Sequence, residues 1–373
     1  MKQFQNVIKY SESCENAKKL VNIAEDYAKT RANEMFHTTF ATYAVNKEGK
    51  TIGLDEKAKQ LNEVFCSELE RRSKYSVADF DGDVYAYSEF GAVAEMSAQL
   101  QKIIVDAMTP ILISATNLGL IAEFHYGGYG DTFEFELTDP LPYKVSKMGA
   151  RQKHTKTQEK KKTNKTIATE MYGLTTYTTL PQILLGESML AEDAYKMAIS
   201  INKKIYTLVI KKFVSAVETL DDSRFVQTNY NEKGLLEKLR NGSAYNGEQM
   251  LVVGDAVALK TLLPSEPKVE ILLSDDFNTN LGYMSVWNTY KVLGLDVVAD
   301  PDETSGVLGL PTNRIYGIPV NGTKLVQVAI GATMTNTDGE FENNNLAILS
   351  TLRKEIGVEL ATNKKVVKCT LGA

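Results

Sequence analysis

Residues 187–220 contain neither glycine nor proline, and Ala191, Ala194, Ala198, Ile201, Ile205, Leu208, Val209, Phe213, Ala216 and Leu220 recur at helical spacing. The spacing predicts one helix of roughly 50 Å at 1.5 Å per residue, far longer than the usual globular helix of about 11–12 residues. A second apolar stripe (Tyr195, Ile199, Tyr206, Ile210, Val214, Val217) means that the helix is covered on more than one side. It reads as an internal spine. A coiled coil is the rival reading, but no heptad with charged flanking positions is sustained.

The stretch before this helix constrains the fold almost as strongly. From Lys144 to Lys165 stand nine Lys/Arg (Lys144, Lys147, Arg151, Lys153, Lys156, Lys160, Lys161, Lys162, Lys165) against one acid, Glu159. Beyond Val145, Met148 and Ala150 it offers nothing to bury. Strand-like runs flank it: Phe133-Glu-Phe-Glu-Leu137 alternates, and Gly173-Leu-Thr-Thr-Tyr-Thr-Thr-Leu180 follows, closed by Pro181. The expectation is an extended two-stranded arm with a charged tip, lying on a neighbouring copy.

Net charge supports that expectation. The chain sums to −5, and the basic stretch alone supplies +8, so the remainder sums to −13. Such segregation favours self-complementarity, a basic arm on one copy against acidic surface on the next. A general nucleic-acid binder is more often basic overall, and the stretch lacks the interleaved aromatics of a single-strand binder.

At 373 residues, 43% hydrophobic and 24% charged, the chain has the composition of a globular protein with a sizeable core. Cys14, Cys66 and Cys369 form neither a disulfide framework nor a CxxC metal pair, which fits a reducing compartment. Residues 1–10 lack the apolar core of a signal peptide. Ala107–Ala122 is too short and too polar to span a bilayer. No membrane partner is expected.

Along the chain, residues 11–44 read as an amphipathic helix on Ala17, Leu20, Val21, Ala24, Tyr27 and Ala28. A second helix follows Asp55, with Ala58, Leu61, Phe65 and Leu69 on one face. A third (91–108) is expected to break at Pro110, and Gly127-Gly-Tyr-Gly130 signals a turn before the arm. After Asp221 come a short helix (Glu232–Leu239), a buried strand (Gln249–Val253) and a helix from Asp255 to Leu263. Further strands are expected at Val269–Leu273, Val286, Val292 and Val297–Ala299, and a loop at Gly306–Asn313. Lys324–Ile330, a helix around Asn344–Glu355 and strands Val358–Ala361 and Lys365–Leu371 close the chain.

Catalytic chemistry finds little purchase. Asp79-Phe-Asp-Gly-Asp83 with Leu251-Val-Val-Gly-Asp255 faintly resembles the carboxylate motifs of Mg²⁺-dependent haloacid-dehalogenase-type phosphatases. Yet Arg71–Ala78 is polar where a buried strand should end, and no acid follows Asp255 one helical turn on. As a calcium loop the first cluster has its glycine at the fourth position rather than the sixth. Gly127–Gly130 lacks the Lys-Ser/Thr of a phosphate loop. No HExxH or GxSxG occurs, and His37, His125 and His154 are scattered. No catalytic residue, cofactor or metal ligand is predicted.

The order of parts resembles the tailed-bacteriophage major capsid proteins, whose Hong Kong-phage-type fold is shared with encapsulins and the herpesvirus capsid floor. The closing segment, Asn345-Leu-Ala-Ile-Leu-Ser-Thr-Leu-Arg-Lys-Glu-Ile-Gly-Val-Glu-Leu through Val-Val-Lys-Cys-Thr-Leu371, is similar to that family's C-terminal end. The resemblance implies an α+β chain with an N-terminal helical region (1–78), an N-arm (79–120) and an extended loop (121–182). A peripheral domain with the spine helix (183–245 and 342–373) and an axial domain (246–341) complete it.

It further implies a non-enzymatic subunit that assembles with itself into hexamers and pentamers, closing an icosahedral head shell around the phage genome. Scaffolding, portal and decoration proteins and packaged double-stranded DNA, held without sequence-specific contacts, are the implied partners. The implied location is the virion, after assembly in the host cytoplasm. The alternatives are an encapsulin-like cargo shell and the phosphatase above. Under the resemblance, Lys147, Arg151, Lys153, Lys160, Lys161 and Lys162 of the arm meet Glu187, Glu192, Asp193, Asp221 and Asp222 of adjacent copies.

Overall fold

The structure is a computed structural model and describes residues 15–31, 44–45, 51–52, 56–73, 90–138, 147–148, 162–179, 190–262, 291–294, 298–299, 307–320, 324–337, 347–361 and 364–372. Its helices are α1 (Glu15–Arg31), α2 (Glu56–Ser73), α3 (Phe90–Ala115), α4 (Leu190–Glu218), α5 (Glu232–Asn246) and α6 (Ala256–Lys260). The strands before the spine helix α4 are β1 (Ala44–Val45), β2 (Thr51–Ile52), β3 (Ala122–Tyr126), β4 (Phe133–Thr138), β5 (Lys162–Ile167) and β6 (Thr169–Thr179). After it come β7 (Val226–Gln227), β8 (Met250–Gly254), β9 (Lys291–Gly294), β10 (Val298–Ala299), β11 (Val307–Leu308) and β12 (Arg314–Pro319). The chain closes with β13 (Val326–Thr337), β14 (Ala347–Leu360) and β15 (Val367–Thr370). The fold is α+β.

Helices α1, α2, α3 and α4 pack on one another in the main core. Leu20, Ala24, Tyr27 and Ala28 of α1 are buried, as are Leu61 and Phe65 of α2, the positions that the periodicity picks out. Tyr27 meets Tyr195 of α4 edge-on, ring centroids 4.9 Å apart. The helix expected over 11–44 is described only as Glu15–Arg31, and Ala44–Val45 pairs with Thr51–Ile52 as a small hairpin.

Contrary to expectation, α3 does not break at Pro110 but runs through it to Ala115. Proline removes one backbone donor and costs a helix interior about 3 kcal/mol. Leu100, Ile104, Val105, Met108 and Leu112 are all buried in the main core, and that burial outweighs the penalty. The residue before it, Thr109, donates its Oγ1–H to the Val105 carbonyl one turn back at 2.7 Å.

Two sheets lie against the helices. One has the order β3-β13-β14-β6, antiparallel except for the parallel pair β3/β13. The expected helix around Asn344–Glu355 is instead the strand β14. Ile348, Ser350, Leu352, Lys354 and Ile356 alternate, and β14 pairs with β13 and β6 along most of its length. Ser350, Leu352, Lys354 and Ile356 are buried while Arg353 between them is exposed, so the period is two. The predicted strand Val358–Ala361 is the end of the same strand.

The other sheet has the order β7-β15-β12-β8-β9. Leu251, Val253, Tyr316 and Ile318 enter the main core with α4. Met250, Val252, Ile315, Val367 and Cys369 face a second core with Phe225, Leu235 and Leu239. Helix α5 runs seven residues past the predicted Leu239 end to Asn246, where Gly247 caps it at φ 69°. Gly317 lets α5 approach, since a Cβ there would stand 2.4 Å from Leu239 Cδ2 and 3.1 Å from Val367 Cβ. The sheets cut across the expected divisions: β13 precedes 341 yet pairs with β14, and β15 follows 342 yet joins β12. Residues 79–83, 269–273 and 286 lie outside the described residues; Val292 falls in β9, Val298–Ala299 is β10, and the loop at Gly306–Asn313 contains the two-residue β11.

Candidate assembly surface

The turn at Gly127–Gly130, with Gly130 at φ 75°, feeds β4 as predicted. The partner of β4 differs from expectation. It is Lys162–Ile167, from the end of the basic stretch, with Phe133 opposite Ile167, Phe135 opposite Lys165 and Leu137 opposite Thr163. Residues Gly173–Thr179 belong to β6 and pair with β14; Leu180 and Pro181 lie outside the described residues. The physical reason is alternation: Phe133, Phe135 and Ile167 share one face and are buried against Ala329 and Ala361. Lys165 sits on that apolar face by laying its stem along it and reaching out to a carboxylate. Its Nζ donates to Glu359 Oε1 at 2.8 Å and to the Leu360 carbonyl at 3.3 Å. Lys212 of α4 approaches the same carboxylate at 3.6 Å. Burial pushes the Glu359 pKa up, but the hydrogen bonds from Lys165 and the backbone, with both ammonium charges, leave it lowered. Glu359 therefore clasps the arm base to the spine helix.

The predicted contact residues are placed unevenly. Lys147 is exposed beside Met148, and Lys162 pairs with Glu136 across the arm at 2.7 Å. Arg151, Lys153, Lys160, Lys161 and Glu187 lie outside the described residues. Glu192 is joined to Lys196 one turn along α4 at 3.3 Å, and Asp193 is half-buried in the same first turn. Asp221 is exposed beyond the other end of α4. Asp222 accepts from Arg224 Nη2 at 2.7 Å and from its Nε and backbone N–H at 3.0 Å, which hold its carboxyl at about 2. The structure thus joins Lys162 to Glu136 within one chain, and none of the described predicted lysines to a predicted acid.

Between Asp193 and Glu218 the spine helix carries Lys196, Lys203, Lys204, Lys211 and Lys212 and no acid. The described acids expected to receive the arm, Glu192, Asp193, Asp221 and Asp222, lie in its first turn or beyond its far end. Lys204 lies 5.5 Å from the Tyr172 ring centroid on β6, while Lys212 approaches Glu359.

Sequence reading missed the open face of the β3-β13-β14-β6 sheet. Met171, Gly173, Thr175 and Tyr177 of β6 are exposed. On the same face the Thr175 and Thr351 hydroxyls meet at 3.0 Å and Arg353 is exposed. The period-two alternation of Met171, Thr175 and Tyr177 was the available signal. Beneath it, Lys354 Nζ donates to Asp106 Oδ1 of α3 at 3.0 Å and to Thr333 Oγ1 at 2.9 Å, and Thr333 Oγ1 also bonds Asp106. Asp255, half of the phosphatase-like pattern, caps α6 by accepting from the Val257 N–H at 2.8 Å. Among the described residues no cluster of His, Cys, Asp and Glu could hold a metal ion, and no helix is long and apolar enough to cross a membrane.

No protein-family model matches the chain, and no curated protein matches it. Among solved structures it is similar to the capsid of an empty GTA particle, at 11% identity over 69% of this chain and 90% of that one, with a TM-score of 0.47. The mature capsid of bacteriophage PhiM1 is similar at 11% identity, 69% and 87% coverage and a TM-score of 0.44. A virus-like particle from Pyrococcus furiosus is similar at 12% identity, 67% and 89% coverage and a TM-score of 0.38. None of these TM-scores reaches 0.5.

Proposed function

We propose that this chain is a structural shell subunit of the phage major-capsid type, which acts by assembling with copies of itself. The observation that carries the reading is the arm: a two-stranded ribbon clamped at its base by Phe133, Phe135 and Ile167, followed by the sheet strand β6 and then by a 29-residue spine helix. Its two strands are joined by residues 139–161, which hold seven Lys/Arg (Lys144, Lys147, Arg151, Lys153, Lys156, Lys160, Lys161). A rigid base bearing so basic a connection, in a chain otherwise acidic, suits engagement of another copy. Lys147, Arg151, Lys153 and Lys160–Lys162 of one copy then face Glu187, Glu192, Asp193, Asp221 and Asp222 of the next. Exposed pairs contribute only ~0–1 kcal/mol each, and contacts that weak let a misplaced subunit leave during assembly.

In this reading hexamers and pentamers close an icosahedral shell around double-stranded DNA, held without sequence-specific contacts. Assembly proceeds in a host cytoplasm with scaffolding, portal and decoration proteins, and the product is the virion head. The test is light scattering and negative-stain microscopy of the full chain beside a variant with Lys160, Lys161 and Lys162 each changed to Glu. Rings or closed shells that weaken in the variant are the expected result. A chain that stays monomeric under crowding and with scaffold present overturns the reading.

A further inference from the structure

Strand β6 ends its sheet, and all eleven of its residues pair with β14 on one side. Among the described residues no strand pairs with its other edge. At about 3.3 Å per residue that edge runs roughly 35 Å. Long open edges are ordinarily blunted by proline, lysine or a bulge. Here β6 contains no proline, lysine or arginine, and Glu170 is its sole charge. Two of the exposed large apolar side chains among the described residues, Met171 at 44% and Tyr177 at 54%, stand on this one strand. They share its open face and lie three residues to either side of Leu174.

We propose that β6 pairs antiparallel with β6 of a second copy about a twofold axis at Leu174, making one eight-stranded sheet from two chains. An isologous contact of this kind must be self-complementary, and this strand is. The register sets Met171 opposite Tyr177 of the second copy, twice, on the open face. Thr175 falls opposite Gly173, so no bulky pair stands on the open face beside the axis, and Leu174 meets its own copy on the other face. Tyr172 falls opposite Thr176. Glu170 falls opposite Thr178 and never opposite its own copy. A foreign strand would satisfy the same backbone groups, but the symmetric placement of Met171 and Tyr177 favours a second copy.

The contact is one of the copy-to-copy contacts of the shell reading and rests on it only for self-association. The experiment uses the full chain in two forms. Leu174→Cys sets a thiol on the axis, and diamide oxidation gives a disulfide-linked dimer on a non-reducing gel that the natural chain, with Cys14, Cys66 and Cys369, does not give. Met171→Lys and Tyr177→Glu each weaken dimerisation about tenfold, because the twofold repeats every lost pair. Combined, they restore it, since the two new charges face each other across the axis. Shells that form without the Leu174→Cys crosslink and with unweakened single variants overturn the pairing and leave the shell reading standing. Crosslinked dimers that never close into shells do the reverse, and a monomer at every concentration overturns both.

Discussion

The two sheets differ in how they end. The β7-β15-β12-β8-β9 sheet is covered on both faces, by the main core through Leu251, Val253, Tyr316 and Ile318 and by the α5 core through Met250, Val252 and Val367. Its edges are blunt, two residues in β7 and four in β9. The β3-β13-β14-β6 sheet carries helices on one face, while on the other, among the described residues, the arm base covers the end at Ala329 and Ala361. It finishes on the eleven-residue edge of β6. Burial on both faces explains why Met250–Val253 reads as a continuous apolar run, and burial on one explains the alternation of β14. The first sheet holds the subunit together; the second meets another copy only under the pairing proposed above.

The largest effect that would test this contrast is at Phe213. Its ring is 1% exposed and meets Tyr316 edge-on at 5.3 Å, fastening the spine helix to the sealed sheet. Phe213→Ala should lower stability by about 3–5 kcal/mol in urea unfolding. Tyr177→Ala on the open face should change dilute-solution stability by no more than about 0.5 kcal/mol. Comparable losses from the two would break the contrast.

A smaller effect lies beneath the open sheet. Lys354 is 4% exposed and relies on Asp106, itself 25% exposed, and on Thr333. Asp106→Asn should cost about 2–3 kcal/mol, below the loss for a fully buried pair because water reaches the aspartate. The double change Asp106→Leu with Lys354→Met should recover most of it, since no buried charge then lacks a partner. A double variant as unstable as the single one would mean that the ion pair fixes the sheet on α3 in a way apolar packing cannot replace.

How much was legible in the sequence follows the same division. The spine helix was, because a span without Gly or Pro and with two apolar stripes admits few other folds; it is described from Leu190 and ends at Glu218. Strand β8 was, because Met250–Val253 is apolar on both faces. Strand β14 was not. Leu349, Leu352 and Ile356 also fit a helix, and the inward Ser350 and Lys354 read as solvent-facing until Gln101 and Asp106 are known to receive them. Phe133–Leu137 was legible as a strand, but Lys165 hid its partner, since a lysine on an apolar face is intelligible only with Glu359 beside it. The charge split was visible in the sequence. Which acid faces which lysine was not, because Lys162 takes Glu136 and Glu192 takes Lys196, choices that strand register and helix pitch make.

The smallest effect concerns the blunt edge. Just before β7, the Asp222 carboxylate folds back on Arg224 in the exposed turn that leads into the strand. A carboxyl held at about 2 in the folded chain, below its ordinary unfolded value near ~4, stabilises the fold fully above the unfolded value. That contribution fades as pH falls through this window, and it is gone once the folded carboxyl is itself protonated. Arg224→Gln removes the guanidinium, so Asp222 should titrate near the ordinary carboxylate value in a carboxyl-carbon NMR titration. The acid unfolding transition should change shape only within that window, with stability at neutral pH nearly unmoved because the pair is solvated. An Asp222 that still titrates at about 2 in Arg224→Gln would mean that the turn itself, and not the arginine, holds the carboxylate.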